Sequence, residues 1–96
     1  MTDKIYPRKE SLEAVHTFPC KFTIKVIGAN TPTFIEAARS TVEAVTQDSS
    51  RLTLTTRESS KGKHVSVNLE VHVETPEQVQ DLYARLKKLD ALQYIF

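Results

Sequence analysis

The stretch SSKGKH, from Ser59 to His64, has the residue types of an anion-binding loop. Its hydroxyls and basic side chains surround Gly62, and a glycine lets neighbouring backbone N–H groups converge on an oxyanion. A P-loop, however, needs a glycine where this chain has Arg57 and a Ser or Thr where it has His64. The alternative, which we favour, is a hairpin turn with Gly62 at positive φ. The anion contact, if formed, would involve Ser59, Ser60, Lys61, Lys63 and His64.

A second candidate follows the first predicted strand, where Gly28, Ala29 and Asn30 interrupt the alternation of apolar and polar residues. Thr31 can cap a helix that begins at Pro32, and the free N–H groups of a helix start can bind a carboxylate. On this basis we predict ligand-binding residues at Gly28, Asn30 and Thr31. The alternative, which we again favour, is that Thr31 only caps the helix.

Other chemistry lacks the residues that it would need. Cys20 is the single cysteine and lies on the apolar face of a predicted strand, so a structural role is favoured over a metal ligand or a nucleophile. His64 and His72 share a strand face, but strand rise separates them by about 26 Å, which is too far for one metal ion. We therefore expect no catalytic residue, no metal site and no cofactor, and we predict that the protein is not an enzyme.

The charge balance limits the partners. The chain has 13 basic and 12 acidic residues and a formal charge of +1, so it lacks the basic field of a nucleic-acid binder. The outward positions of the two central predicted strands also carry no aromatic residue on which bases would stack. We expect no nucleic-acid partner. Because no apolar run is long enough to span a bilayer and no secretion signal is recognisable, we also expect a cytoplasmic protein without a membrane partner.

The hydrophobic pattern predicts six elements that would position these residues. Strands are predicted at residues 18–28, 51–57, 65–73 and 91–96, and helices from Pro32 to about residue 46 and from Pro76 to Leu89. The order strand, helix, strand, strand, helix, strand, with right-handed crossovers, predicts an α/β fold of the α+β type. The predicted fold is a ferredoxin-like βαββαβ plait, whose four-stranded antiparallel sheet has the order 4-1-3-2 and carries both helices on one face.

The first 17 residues are harder to interpret than the rest. We predict that residues 1–17 form a partly ordered N-terminal arm and that residues 18–96 form a single ferredoxin-like domain. Leu12 and Val15 are three residues apart, so a short helix that docks one face onto the domain is the alternative.

Three stretches resemble the YbeD-like family, a family of small bacterial proteins of unassigned function. They are FPCKFTIKVIG at 18–28, SSKGKHVSV at 59–67 and LYARLKKLDALQYIF at 82–96, and the resemblance runs from about Leu12 to Phe96. It implies an α/β plait similar to ACT domains, the amino-acid-sensing modules of metabolic enzymes, so that residues 18–96 would be ACT-like. It implies no catalytic residues.

Two functions remain open at this point. The first, implied by the resemblance, is a non-catalytic regulatory module that senses an amino acid or a small carboxylate near residues 28–32 and acts as a homodimer. The second is an adaptor that binds a protein partner through the open sheet face or through the predicted edge strand at 51–57. Arg51 and Arg57 would protect that edge from unwanted pairing.

Overall fold

The strands and helices of the protein follow the two periodicities of its sequence. In a strand the side chains alternate between faces, whereas in a helix they return to one face every three to four residues. A computed structural model describes residues 8–46 and 52–96; the predicted loop at 47–50 and Arg51 lie outside this range. The elements are α1 (Lys9–Val15), β1 (Cys20–Ala29), α2 (Pro32–Thr46), β2 (Leu52–Glu58), β3 (His64–Val73), α3 (Pro76–Leu86) and β4 (Leu92–Ile95).

Strands β1 and β3 form the centre of a four-stranded antiparallel sheet, and β2 and β4 form its edges, in the order β2-β3-β1-β4. Read from β4, this is the order 4-1-3-2. Strands β1 and β3 pair along their whole length, with Ile24 opposite Leu69. On its other side β1 pairs with β4, with Ile27 opposite Tyr94. The sheet and the helices together make a mixed α+β fold.

Helices α2 and α3 pack against one face of the sheet and bury its apolar side. Every second residue of β3 from Val65 to Val73 is buried, as the alternation predicted. The other buried side chains of the sheet and of these two helices include Phe22, Ile24, Val26, Phe34, Ala38, Val42, Val79, Leu82, Tyr83 and Leu86. The opposite face of the sheet has no helix on it in the part of the chain that the structure describes, so it is the open face of the domain.

Both of the predicted helices begin at threonine-proline pairs. The Oγ1 of Thr31 accepts a hydrogen bond from the N–H of Phe34 at 3.2 Å, and the hydroxyl of Thr75 accepts one from Gln78 at 3.3 Å. The side chain of Gln78 accepts a hydrogen bond from the N–H of Glu74 at 2.6 Å, one residue before the cap. The bonds to the two threonines satisfy donors that a helix start leaves without an intrahelical partner, and the bond from Glu74 joins the residue before the cap to the first turn of α3.

Helix α1 lies within the segment 1–17, for which we predicted a partly ordered arm, and it is a third helix beside the two predicted ones. Leu12 is only 4 % exposed and joins the hydrophobic core, which removes its apolar surface from water. Lys9 also forms an ion pair with Glu77 of α3 at 2.9 Å. Residues 1–7 lie outside the described residues. Within the described part of the chain, no helix has the length and hydrophobicity needed to cross a membrane.

Candidate functional site

The two stretches that the sequence singled out as separate candidates meet in space. The side-chain amide of Asn30, in the loop between β1 and α2, donates a hydrogen bond to the carbonyl of Gly62 at 3.0 Å. The backbone N–H of Asn30 donates to the carbonyl of Lys63 at 3.1 Å. The first loop therefore holds the hairpin between β2 and β3 in place, and we call this contact the loop junction (residues 28–31 and 59–64).

The hairpin side of the loop junction uses its polar groups to make a turn. The N–H of Gly62 donates to the carbonyl of Ser59 at 2.9 Å, and Gly62 has a φ of 72°. Ser59 also pairs with His64 twice, because its Oγ accepts from the N–H of His64 at 3.2 Å and its own N–H donates to the carbonyl of that residue at 2.9 Å. Lys61 and Lys63 are exposed. The geometry is that of a closed turn with two lysines in solvent.

The other predicted ligand residues are also engaged within the fold. A Cβ on Gly28 would lie 2.5 Å from Cζ of Phe34 and 2.6 Å from the carbonyl oxygen of Ala91, so this position is filled by its neighbours. Thr31 caps α2, and its own N–H donates to the carbonyl of Ala29 at 2.9 Å. The three residues Gly28, Asn30 and Thr31 thus lie together, but their contacts are with the protein itself.

A groove lies beside the start of α2, where the loop after α3 passes it. Its volume is about 340 Å³, and it is lined by Thr31, Thr33, Phe34, Ala37, Lys88, Leu89, Asp90 and Ala91. Ala91 has a φ of 68°, in the left-handed region that a residue with a Cβ rarely adopts. A strained residue held in place by its surroundings is a feature of some ligand sites, although the same geometry also ends helices.

The open face carries an apolar cluster that the sequence reasoning missed. Tyr94 and Phe96 are the exposed large hydrophobic side chains of the described residues, at 61 % and 63 % exposure, and their rings stack with centroids 6.4 Å apart. The pairing of β4 with β1 sets Tyr94 opposite the half-buried Ile27 on this face. We call Ile27, Tyr94 and Phe96 the aromatic patch. Alternation alone sets Tyr94 and Phe96 on one face of the last strand and Ile95 on the other, but with apolar residues on both faces it does not indicate which face is exposed.

Two positive charges border the aromatic patch. Lys25 lies opposite Phe96, with which it exchanges both backbone hydrogen bonds at 2.8 and 3.3 Å, and Arg57 faces Ser66, the other neighbour of Ile27. Neither cation forms an ion pair with a residue that the structure describes. A shallow depression of about 350 Å³ runs from there to the hairpin, and Lys25, Arg57, Ser59, His64 and Ser66 are among the residues that line it.

The far end of the open face differs in charge. Lys21 lies 3.7 Å from Glu70, and His72 lies 2.8 Å from Glu74. These exposed contacts contribute little to stability, and the carboxylate of Glu70 offsets the positive charge of Lys21. Among residues 8–46 and 52–96, no three His, Cys, Asp or Glu side chains are grouped closely enough to hold a metal ion.

A hydrogen bond from Tyr83 of α3 holds strand β4 against the helix layer. The hydroxyl of Tyr83 donates a hydrogen bond to the carbonyl of Phe96 at 3.0 Å. Because the hydroxyl is largely buried, desolvation raises the pKa of Tyr83 above its ordinary value, and the group remains a neutral donor at physiological pH. This bond holds Phe96, and with it the aromatic patch, against the helix layer.

Comparison with known proteins identifies the family. Residues 13–96 match DUF493, which is described as a protein family of unknown function. The chain belongs to the DUF493 family. A relative in this family, a UPF0250 protein of Neisseria gonorrhoeae, is 33 % identical over 87 residues, which cover 91 % of this chain and 96 % of the relative. A UPF0250 protein of Pasteurella multocida is 38 % identical over 80 residues, which cover 81 % of this chain and 86 % of that one. The resemblance to the YbeD-like family is thereby confirmed.

The DUF493 fold is also found among solved structures. The solution structure of protein HP0495 from H. pylori is similar to this chain with a TM-score of 0.66 at 19 % identity, covering 85 % of this chain and 86 % of that one. At this identity the likeness shows the fold alone. The α+β architecture of this DUF493 member is therefore shared with a protein of distant sequence.

Proposed function

We propose that this DUF493 member is a non-catalytic adaptor that binds another protein through the β4 side of its open sheet face. One observation carries the proposal: Tyr94 and Phe96, the most exposed large apolar side chains of the described residues, stack on each other beside Ile27. A single exposed apolar side chain is ordinary, but a contiguous apolar group with a polar rim is typical of a contact surface. Tyrosine is also among the residues that dominate binding energy at interfaces.

The non-catalytic part of the proposal rests on the loop junction. The side chains there that resemble a reactive or anion-binding set serve the turn and the helix cap, as in the bonds of Ser59 to His64 and of Asn30 to Gly62. Groups that already satisfy each other gain little by binding an additional ligand. We therefore assign the functional role to the surface that the fold leaves apolar and exposed.

Photo-crosslinking in cells tests the adaptor proposal. We replace Tyr94 by p-benzoylphenylalanine and, as a matched control, place the same group at Ala44, an exposed position on α2. We expect a discrete crosslinked partner from position 94 that is absent from position 44. The partner should be lost from affinity capture by the double variant Tyr94→Thr/Phe96→Thr and retained by Gln93→Thr. Identical crosslinks from both positions, or capture that survives the double variant, would contradict the proposal.

A second candidate function is ligand sensing of the ACT type. The helix-covered antiparallel sheet of order β2-β3-β1-β4 supports the ferredoxin-like plait, and the positive φ of Ala91 beside the start of α2 favours the groove as the binding place. The ligand would be an amino acid or a small carboxylate, and the module would act as a homodimer in this hypothesis.

A thermal-shift screen of the amino acids and small carboxylates, alongside light scattering, tests the sensing hypothesis. We expect one compound to raise the melting temperature of the wild type and to lose this effect with Thr33→Val, which changes a groove hydroxyl that forms no helix cap. A screen without any stabilising compound would rule out the groove as a sensor.

A further inference from the structure

We infer that the aromatic patch binds an acidic, extended segment of the protein partner, with carboxylates on Lys25 and Arg57 and apolar side chains on Tyr94 and Phe96. This inference rests on the proposed adaptor function and deepens it, because it names the chemistry of the occupant. It rests on strand register and on the charges of the open face.

Strand register places the two cations at different distances from the aromatic rings. One row across the sheet runs from Tyr94 through Ile27 and Ser66 to Arg57, and the next row joins Phe96 to Lys25. Neighbouring strands lie about 4.8 Å apart, so Tyr94 and Arg57 are separated by about 14 Å across the face. An extended segment of about five residues, at about 3.3 Å per residue, covers this row from the rings to the guanidinium.

The charges on the half of the open face that carries Lys25 and Arg57 favour an acidic binding segment. Lys25 and Arg57 have no ion pair among the residues that the structure describes, whereas Lys21 at the far end is paired with Glu70. Glu58 also lines the depression, but it lies opposite Val65, whose side chain is buried on the helix side. A partner that brings carboxylates to this half meets two unneutralised cations, which gives charge complementarity.

The same charges argue against a second copy of the chain. In a two-fold symmetric contact the same surface meets itself, so the half of the open face that carries Lys25 and Arg57 would meet an identical surface with the same two positive charges. Like charges brought together across an interface are unfavourable. Single-stranded nucleic acid is also disfavoured, because this plait lacks aromatic side chains on the outward positions of β1 and β3, where such folds stack bases.

Fluorescence anisotropy with defined probes tests the inference. The probe is a labelled peptide of about eight residues with leucines in one half and glutamates in the other, which is long enough to cross the patch in extended form. Control probes carry lysine in place of glutamate, or serine in place of leucine, and a labelled oligouridylate represents single-stranded nucleic acid. We expect the glutamate-leucine peptide to bind at least about tenfold more tightly than any control probe.

Variants locate the binding. The double variant Lys25→Glu/Arg57→Glu should weaken binding of the glutamate-leucine peptide at least about tenfold. The double variant Tyr94→Thr/Phe96→Thr should weaken this binding to a similar extent. Lys88→Glu, which reverses an exposed lysine at the end of α3, should change the affinity less than about twofold, since that charge lies away from the open face. Raising the ionic strength from about 0.1 M to about 1 M, which shortens the Debye length from about 10 Å to about 3 Å, should weaken wild-type binding. Thermal melts confirm that each variant is folded.

Several outcomes would overturn the inference. Equal binding of the lysine-leucine peptide, tighter binding of the oligouridylate, or a dimer in light scattering that Tyr94→Thr/Phe96→Thr dissociates would each assign the patch to another occupant. A crosslinked partner from position 94 together with no preference for the acidic peptide would overturn the inference while leaving the adaptor function in place. The absence of any position-specific crosslink would overturn the adaptor function itself.

Discussion

The loop junction and the aromatic patch meet at the end of β1, where Gly28 belongs to the first and Ile27 to the second, and they use their residues in opposite ways. At the loop junction the residue types that suggest a ligand site, glycine, serine and asparagine, are occupied by contacts within the fold. At the aromatic patch two ordinary apolar side chains, Tyr94 and Phe96, are left in solvent. Polar residues at a turn are therefore explained first by the hydrogen bonds of the turn itself. An apolar group that stays exposed on the folded protein instead indicates a surface that binds a partner.

The largest expected effect on stability is at Gly28 of the loop junction. In Gly28→Ala the new Cβ would meet Cζ of Phe34 at 2.5 Å and the carbonyl oxygen of Ala91 at 2.6 Å, and the backbone atom cannot move aside cheaply. We expect the free energy of unfolding to fall by about 3 kcal/mol, the upper end of the usual cost of overpacking. Urea denaturation of wild type and variant measures this change in unfolding free energy.

The other glycine of the junction is the matched control for Gly28. A Cβ on Gly62 has no atom within 4 Å, so Gly62→Ala should cost only the positive φ of 72°, about 1 kcal/mol. Equal losses in the two variants would mean that the close approach at Gly28 is unimportant.

The next prediction concerns the bond that holds the aromatic patch to the helices. Tyr83→Phe removes the hydrogen bond from the hydroxyl to the carbonyl of Phe96, and we expect a loss of about 1 kcal/mol in unfolding free energy at neutral pH. Tyr94→Phe, which removes an exposed hydroxyl without a described hydrogen bond, is the control and should change it by less than about 0.5 kcal/mol.

The pH dependence of the same bond has a definite sign. Burial raises the pKa of Tyr83 in the folded protein above the ordinary value of 10.0, so the folded state holds this proton more tightly than the unfolded state. The stabilisation is therefore complete below pH 10 and is lost as the pH rises through the folded-state pKa. The difference in unfolding free energy between wild type and Tyr83→Phe should shrink above pH 10. A difference that grows there would contradict the assignment.

A smaller loss of unfolding free energy is expected when the bond that joins the two halves of the loop junction is removed. Asn30→Ala removes the side-chain donor to the carbonyl of Gly62 but keeps the backbone bond to Lys63. Because the bond is exposed, we expect a loss of about 0.5 kcal/mol and faster amide exchange in the hairpin. Asn68→Ala, an open-face asparagine on β3, should leave hairpin exchange unchanged. Unaltered exchange in Asn30→Ala would mean that the first loop does not hold the hairpin.

The smallest expected effect on stability is at the aromatic patch. Tyr94→Thr/Phe96→Thr replaces exposed rings by a residue with good strand propensity, so we expect a change in unfolding free energy of less than about 0.5 kcal/mol together with the loss of partner binding. Thermal and urea denaturation measure the first quantity. A loss as large as that in Tyr83→Phe would mean that the rings serve the fold and would remove the contrast between the two regions.

Local pattern was sufficient for the six elements from β1 to β4 and for most of the core. The alternation of valines in β3 and the helical spacing in α2 and α3 predicted which side chains are buried, because period two and period 3.6 each place one face against a partner layer. The starts of α2 and α3 at Pro32 and Pro76 were also predicted, since a threonine cap and a first-turn proline act within a few residues.

Contacts between distant residues were beyond local pattern. Nothing near Asn30 indicates that its amide reaches Gly62, 32 residues later, and the spacing of Leu12 and Val15 offered a docked helix only as the alternative to an arm. The loop junction and the position of α1 depend on contacts between residues that are distant in sequence. These contacts are set by the packing of the whole sheet and its helices.

The sequence by itself determined that the chain forms amphipathic strands and helices with one buried face each, because side-chain periodicity is a property of neighbouring residues. Only the tertiary structure decided what lies on the remaining face. The pairing of β4 with β1 sets Tyr94 beside Ile27 and Phe96 beside Lys25, because the register between strands that are distant in sequence is fixed by the core and by the bond from Tyr83.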